Sequence, residues 1–390
     1  MNKNAVSAQE RGLIKVAKTI NFSYETLKKF CEASFAKLGF SKLESEEITD
    51  VLLLSDLYGI ESHGMQRLVR YHKGIEKGLI KVDAKPEIVF ETPVSAVVEG
   101  HDGMGQLNSI FAMKKAIEKA KTSGIGIVNV RNSNHFGIAG YYAKMACDAG
   151  LIGFAVTNSE AIMVPTFCRM AMLGSNPIAM SMPAEPYPFF FDASTTVVTR
   201  GKLEVYNKNG KALPEGWALD KNGHGSTDAA DVLKNIVAKN GGGIMPLGGE
   251  KEQTGSHKGY GYGMLCEIFS SILSMGITSN HTHIGGKGGT CHGFAAIDPA
   301  IFGDANAIKE HLSTFLEELR NAPKADGAER IYTHGEKEIL AYADRMKNGI
   351  DVNVNTVAEM VDFCNFVGLS VEEYLGKLDL DTAKKDSSYN

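Results

Sequence analysis

GIGIVNVRNSNHFGIAGYYAKMACDAGLIGFAVTNS, residues 124–159, decides the class of fold. It opens on a short apolar run rich in Ile and Val, closes on a second, and holds a helix-spaced stretch near residues 139–149 between them. Two buried strands joined through a helix, with another helical stretch at residues 107–123 just before them, mark an α/β domain. Working outward, EIVFE (87–91) and VSAVVEG (94–100) read as strands parted by Pro93, and PIAMSMP (177–183) and PFFFDAS (188–194) as two more. Residues 200–250 read as a turn-rich excursion and residues 260–275 as a helix, so the α/β domain spans residues 85–304.

Both flanks carry a helical pattern instead. Ser23 caps a helix with Leu27, Phe30, Phe35 and Leu38 on its apolar side, and Ser41 with Glu44 forms a capping box for a second that Gly59 stops. Ser62 caps a third, with Met65, Leu68, Val69, His72 and Ile75 in register and Gly78 at its end. From Ala305 the spacing of Ile308, Leu312, Phe315, Leu316 and Leu319 is helical again. Residues 21–84 and 305–380 are therefore expected to pack together as a helical domain, with residues 1–20 and 381–390 as extensions.

Composition closes off several classes of function. Lys plus Arg at 41 against Asp plus Glu at 46 gives a net charge of -5, which excludes a nucleic-acid binder driven by bulk charge. No run approaches the ~20 apolar residues that span a bilayer, and the start MNKNAVSAQERG lacks the apolar stretch of a secretory signal. A cytoplasmic protein is expected. The six cysteines form no CxxC pair and imply no disulfide framework.

Several stretches carry chemistry. In GIESHGMQRLVRY, a helix capped by Ser62 puts His63 at its first position and Arg67 four residues on, on one face. A guanidinium there can grip a carboxylate, and the helix's positive end lowers the pKa of His63 toward neutral. A capped surface helix with two exposed polar residues would read the same. In VRNSNHFGIAGYY, Asn132, Asn134 and His135 fill a turn beyond a strand, the usual place for ligands in α/β domains, although such residues are also common loop hydrogen-bonders.

GMGQLN (103–108) is a near miss for a dinucleotide fingerprint: Asn108 replaces the third glycine, and the next strand ends in Arg131 and Asn132 rather than an acidic residue. TGSHKGYGYGM opens a helix and offers Lys258 to an anion such as a pyrophosphate. His281, His283, Cys291 and His292 are ligand-type residues without a metal-site spacing. Asp192 ends the apolar run PFFFDAS and needs a partner, for which a histidine is a natural choice.

Nine stretches in order, SDLYGIESHGMQRLVRY, GIGIVNVRNSNHFGIAGYYA, TNSEAIMVP, LGSNPIAMSMP, FFFDAST, LPEGWALDKNG, MPLGG, HKGYGYGMLCEIFS and HGFAAIDPAIF, resemble the malate/L-lactate dehydrogenase family of the non-Rossmann type. That family includes malate, sulfolactate and ureidoglycolate dehydrogenases, diketogulonate reductase and cyclic-imine reductases. LPEGWALDKNG and HGFAAIDP look most like its malate branch.

The resemblance implies a mixed-sheet, non-Rossmann NAD(P)-binding α/β domain plus a helical domain. It implies hydride transfer between NAD, with NADP open, and a 2-hydroxy or 2-oxo acid, without a metal. A homodimer with no nucleic-acid or membrane partner is also implied.

Carried over by motif, His63 is the proton donor, Arg67 the carboxylate ligand with Ser62 and Asn134 near the substrate, and His135 a further acid/base candidate. Cofactor contacts fall to Ser159, to Phe191, Asp192, Ala193 and Ser194, to His257 and Lys258, and to Gly335 and Glu336. Asp192 is also expected to orient a histidine. The alternatives are a metal-dependent hydrolase or lyase built on His281, His283 and His292, or a ligand-binding protein that has kept the fold without the activity.

Overall fold

The described part of the chain, residues 19–208, 210–282 and 288–378 of a computed structural model, opens on strand β1 (Thr19–Phe22). The expected N-terminal extension thus ends two residues early, and its remainder lies outside the described residues. Ser23 caps α1 (Tyr24–Lys37) by accepting from the Thr26 amide. Ser41 and Glu44 form the full capping box of α2 (Lys42–Leu57).

The third helix corrects the sequence reading: α3 begins only at Leu68 (Leu68–Glu76), and Ser62 is not its cap. Two 3-10 turns, Glu61–His63 and Met65–Arg67, stand in its place. The cause is buried Asp56 on α2, whose Oδ2 accepts the Met65 N–H at 2.8 Å. Gly64 presses on the same carboxylate at φ -91° and ψ -139°, outside the helical region, and this breaks the run.

The strands then assemble as the alternation predicts. β2 (Glu87–Glu91), β3 (Ser95–Glu99), α4 (Gly105–Ser123), β4 (Ile125–Ser133), α5 (Ala139–Asp148), β5 (Ile152–Thr157), β6 (Ile178–Met182) and β7 (Phe189–Ala193) follow in order. The turn-rich excursion is more structured than its sequence suggests, holding α6 (Arg200–Lys208), β8 (Ala218–Leu219), β9 (Gly225–Ser226), α7 (Ala229–Ala238) and β10 (Gly243–Ile244). Its strands are too short for a period-2 pattern, yet Leu203, Val232, Ile236 and Ile244 give it a core of its own.

α8 (Ser256–Glu267) runs into a π-helical turn (Ile268–Ile272), and β11 (Thr290–Ile297) returns to the centre of the sheet. The seven strands lie in the order β2-β3-β4-β11-β5-β6-β7, and only β3 and β4 are parallel. A mixed sheet of this kind has no doubly wound crossover, which agrees with the broken fingerprint. α4 and α5 cover it through Met113, Ala116, Tyr142 and Ala143, packed on Val98, Val128, Val130 and Phe294.

The C-terminal part comprises α9 (Ala305–Arg320), α10 (Glu336–Asn348), β12 (Ile350–Asn353), α11 (Val354–Val367) and α12 (Val371–Leu375). β12 pairs with β1 antiparallel, and Val357, Met360 and Phe363 share one core with Leu27, Phe30, Phe35 and Leu52. α9 departs from the expected helical domain. Of its apolar residues only Leu316 is buried, and its ties run to the turn between β6 and β7, Lys309 to Glu185 and Ser313 to the Glu185 amide, and from Arg320 to Thr333 just before α10. Among the described residues no helix is long and apolar enough to cross a membrane.

Candidate active site

β4 ends in the turn that carries His135. Asn134 Nδ2 donates to the carbonyls of Leu79, Asp102 and Gly103, so this residue, expected beside the substrate, is spent on holding the loop. Gly105, the middle glycine of the broken fingerprint, is needed for the same loop: a Cβ there would stand 2.2 Å from the Asn134 carbonyl oxygen. His135 Nδ1 shares a 2.9 Å hydrogen bond with the Tyr71 hydroxyl and lies 3.4 Å from the donating Gly137 amide. Burial pushes its pKa well below the ordinary value, and the charges of Arg70, His63 and Arg67 push the same way. Tyr71 escapes a sequence reading, although its place at the end of LVRY, one helical turn past Arg67, is the available signal.

The two 3-10 turns bring the second histidine to the first. His63 and His135 stack with ring centroids 5.4 Å apart and planes 20° from parallel. His63 Nδ1 pairs with Ser62 Oγ at 2.9 Å, which is what Ser62 does in place of capping a helix. Arg67 Nε donates to the Ser62 carbonyl at 2.6 Å, closing the turn, and the rest of its guanidinium makes no hydrogen bond or ion pair among the described residues. Burial, then Arg67 and Arg70, push the pKa of His63 down to about 3. The cause is thus not a helix end. Arg70 is exposed and makes no hydrogen bond or ion pair among the described residues.

The cofactor-side candidates run along the edge of the sheet. Asp192 on edge strand β7 accepts the Gly140 amide at 2.7 Å, and burial raises its pKa to about 6 against that bond. It makes no hydrogen bond to either histidine, so the expected orienting role is not what this geometry provides. Phe191 and Ala193 flank Asp192 on β7, and Ser194 Oγ donates to the Thr196 carbonyl.

The segment after β7 leads to α8: Leu247 donates to the Thr195 carbonyl, and Gly248 packs on Gly255 so closely that a Cβ would stand 2.3 Å from its carbonyl carbon. His257 and Lys258 are exposed on the first turn of α8, which has no side-chain cap. Ser159 Oγ accepts the Ser175 amide. Gly335 approaches Phe190 of β7, and Glu336 is fully buried in an ion pair with Arg330.

The candidate metal ligands do not converge. Cys291 and His292 are consecutive on β11 at a register shift of the strand, and the Cys291 thiol lies on the Ile277 carbonyl, away from the partners of His292. His292 is buried flat against Phe136, centroids 4.4 Å apart, with Thr157 on its Nδ1. His283 lies outside the described residues, and among those described no three ligand-type side chains are grouped for a metal.

Moving a hydride at carbon while a proton moves at the attached oxygen calls for a titratable group beside an anion-holding one. The histidine pair and Arg67 supply both, and the chain is a dehydrogenase of 2-hydroxy acids. The family model for malate/L-lactate dehydrogenase matches residues 22–361, and the chain belongs to that family.

Over 335 residues it is 42% identical to the malate dehydrogenase of Pyrococcus horikoshii, covering 85% of this chain and 91% of that protein. Over 358 residues it is 35% identical to the L-sulfolactate dehydrogenase of Methanocaldococcus jannaschii, covering 90% and 98%. The crystal structure of malate dehydrogenase from Entamoeba histolytica superposes with a TM-score of 0.87 at 38% identity, over 90% of this chain and 99% of that one. The family's hydride carrier is a pyridine nucleotide.

Proposed function

We propose that this enzyme interconverts malate and oxaloacetate with NAD in the cytoplasm. The observation that carries the reading is the pair Arg67 and Arg70 beside the two stacked imidazoles: among the described residues neither forms an ion pair, and the nearest acidic influence on Arg70 is the Glu160 carboxylate. One free arginine suits a monocarboxylate; two suit a dianion. Malate dehydrogenases among the relatives support the same substrate. A sulfonate carries the same charge as a carboxylate, so sulfopyruvate belongs in any test.

The uncapped first turn of α8, Lys258 with no side-chain hydrogen bond or ion pair among the described residues, and the backbone contact of Gly248 with Gly255 fit a diphosphate. Lys258 and His257 would hold that part of the cofactor, and Ser159 with residues 191–194 the part nearer the histidines. Gly335 and Glu336 would border it from α10. A bound reduced nicotinamide supplies the hydride.

Arg67 binds the carboxylate next to the ketone, Arg70 takes the far one, and His63 gives its proton to the ketone oxygen. Only one ring of so close a pair readily holds a proton, and each has a hydroxyl on Nδ1 that can donate to the neutral ring or accept from the charged one. Burial, then the arginine charges, keeps the rings neutral; a dianion cancels the second of these, so substrate binding itself favours the acid form.

Tyr262, Leu265, Phe269 and Ile272 form an exposed apolar stripe on α8 and its π-helical continuation, with Phe167 88% and Met275 84% exposed. A second copy of the chain is the proposed occupant, as a homodimer, and sedimentation at two protein concentrations tests it. Six free cysteines, five of them buried, suit a reducing compartment.

The enzymatic reading is tested by following the nicotinamide absorbance with oxaloacetate, sulfopyruvate and pyruvate, each with NADH and NADPH. Oxaloacetate with NADH is expected to give the highest kcat/KM, by about a hundredfold over pyruvate. Equal turnover of pyruvate would overturn the dianion reading.

A further inference from the structure

The turn that carries His63 and Arg67 is short, and little within it fixes its position. Its internal bonds are the contact between Ser62 and His63, the Arg67 bond to the Ser62 carbonyl and the 3-10 hydrogen bonds. Met65 is buried in the N-terminal core with the Cys31 thiol on its sulfur, and His63 stacks on His135; the turn's remaining polar ties to the described residues outside it come from two residues. Asp56, buried on α2, accepts the Met65 N–H in the middle of the turn. Its carboxylate also occupies the space beside Gly64, where a Cβ would stand 1.9 Å from Oδ1.

Arg345, near the end of α10, reaches the same place from the far end of the sequence. Its Nη1 donates to the Asp56 carbonyl at 2.5 Å, and its Nη2 pairs with Glu61, the first residue of the turn, at 3.1 Å.

The other end of α10 sits on β7. His334, two residues before the helix, accepts the Phe190 amide through its carbonyl, and Gly335 packs on Phe190, two residues from Asp192. Along its length α10 is keyed by aromatic contacts: the Tyr58 ring lies 5.4 Å from Phe190 and 6.2 Å from Tyr342. One helix therefore spans from the strand carrying Asp192 to the turn carrying His63 and Arg67. Neither Asp56 nor Arg345 has a role in the mechanism above, and the arginine is 278 positions from Arg67 in sequence (345 less 67).

We propose that Asp56 and Arg345 are positioning residues for the reaction, fixing the turn that holds His63 and Arg67 and keying it through α10 to strand β7. The inference rests on reading that turn as the substrate-holding one. Loosening it would blur the placement of a bound carboxylate while leaving the α8 end of the site intact.

The test uses the full chain with Arg345→Met, Arg345→Lys, Gly64→Ala and Arg67→Met. In Arg345→Met the KM for oxaloacetate is expected to rise about five- to tenfold, with the NADH Kd within about twofold and Tm little changed. Arg345→Lys keeps a cation on Asp56 and Glu61 and should recover part of that loss. Gly64→Ala, which drives a methyl into Asp56, should raise KM more than Arg345→Met. Hydrogen exchange at the Met65 amide should quicken about tenfold in Arg345→Met.

A KM within about twofold of wild type in Arg345→Met, with Met65 exchange unchanged, overturns the proposal. So does a rise in NADH Kd as large as the rise in KM, since that is general loosening. Should Arg345→Met fail to fold, Glu61→Gln at the exposed end of the same ion pair carries the test, with a smaller rise expected and no rise overturning it. If Arg67→Met itself leaves KM unchanged, the reading of the turn fails first, and the brace falls with it.

Discussion

His63 and His135 meet face to face, yet the chain holds them by different means. His63 takes its hydroxyl partner from the preceding residue, Ser62, and stands on a 3-10 turn anchored from outside by Asp56 and Arg345. His135 takes its partner from Tyr71, 64 positions away, on a loop pinned by three bonds from Asn134 and by the close approach of Gly105. The ring on the pinned loop is the fixed wall of the pair. The ring on the turn shares that turn with Arg67, the proposed carboxylate ligand, so a carboxylate held there would be referenced to His63 whatever small motions the turn makes. This difference is why His63 is assigned the proton.

Substitution sharpens that contrast or breaks it. General acid catalysis is worth typically 10²- to 10⁴-fold, so His63→Asn should lower kcat for oxaloacetate by at least about two orders of magnitude with cofactor binding retained. His135→Asn should cost clearly less, and steady-state kinetics side by side decide between them. Next comes Arg67→Met: losing a bidentate charged contact should take roughly 2 to 4 kcal/mol from kcat/KM with NADH affinity nearly unchanged, and a fall below about tenfold would remove Arg67 as the carboxylate ligand.

Arg70→Met should lower kcat/KM about tenfold for oxaloacetate and less than about twofold for pyruvate, because only the former offers a second carboxylate. Lys258→Ala has the smallest expected effect. It should raise the NADH Kd several-fold, read by fluorescence titration, and keep apo stability within about 1 kcal/mol, since this exposed lysine makes no side-chain hydrogen bond or ion pair among the described residues. Unfolding of that variant would point instead to a structural ion pair.

Much of this architecture could be read from residues alone where the cause is local. The caps Ser23 and Ser41, the strands from residue 87 to residue 193 and the failed fingerprint all rest on neighbours a few positions apart. The reading failed where a distant residue overrides a local signal. Ser62 has the chemistry of a cap, but Asp56, six positions back on another helix, captures the Met65 amide and splits the segment into two turns.

Asn134 looks like a ligand-binding residue because its loop lies beyond a strand end; the carbonyls that occupy its Nδ2 come from residues 79, 102 and 103. Asp192 needed a partner, as its burial demands, and found a backbone amide instead of a histidine. The excursion after residue 200 hid two helices and a small sheet because two-residue strands leave no periodicity to find.

The pH dependence of kcat/KM for oxaloacetate reduction, measured in wild type, His63→Asn and His135→Asn, tests the account most directly. Burial and the charges of Arg67 and Arg70 lower the pKa of both rings in the free enzyme, so the protonated form is lost at lower pH than in a free imidazole. Reduction needs that proton. Wild-type kcat/KM should therefore fall as pH rises through an apparent value below the ordinary ~6.5 of histidine, and removing a cation with Arg70→Met should move the fall to higher pH. His135→Asn should keep the limb even if its rate drops, and His63→Asn should lose it. A limb that vanishes with His135 and survives the loss of His63 would contradict the assignment and make His135 the acid.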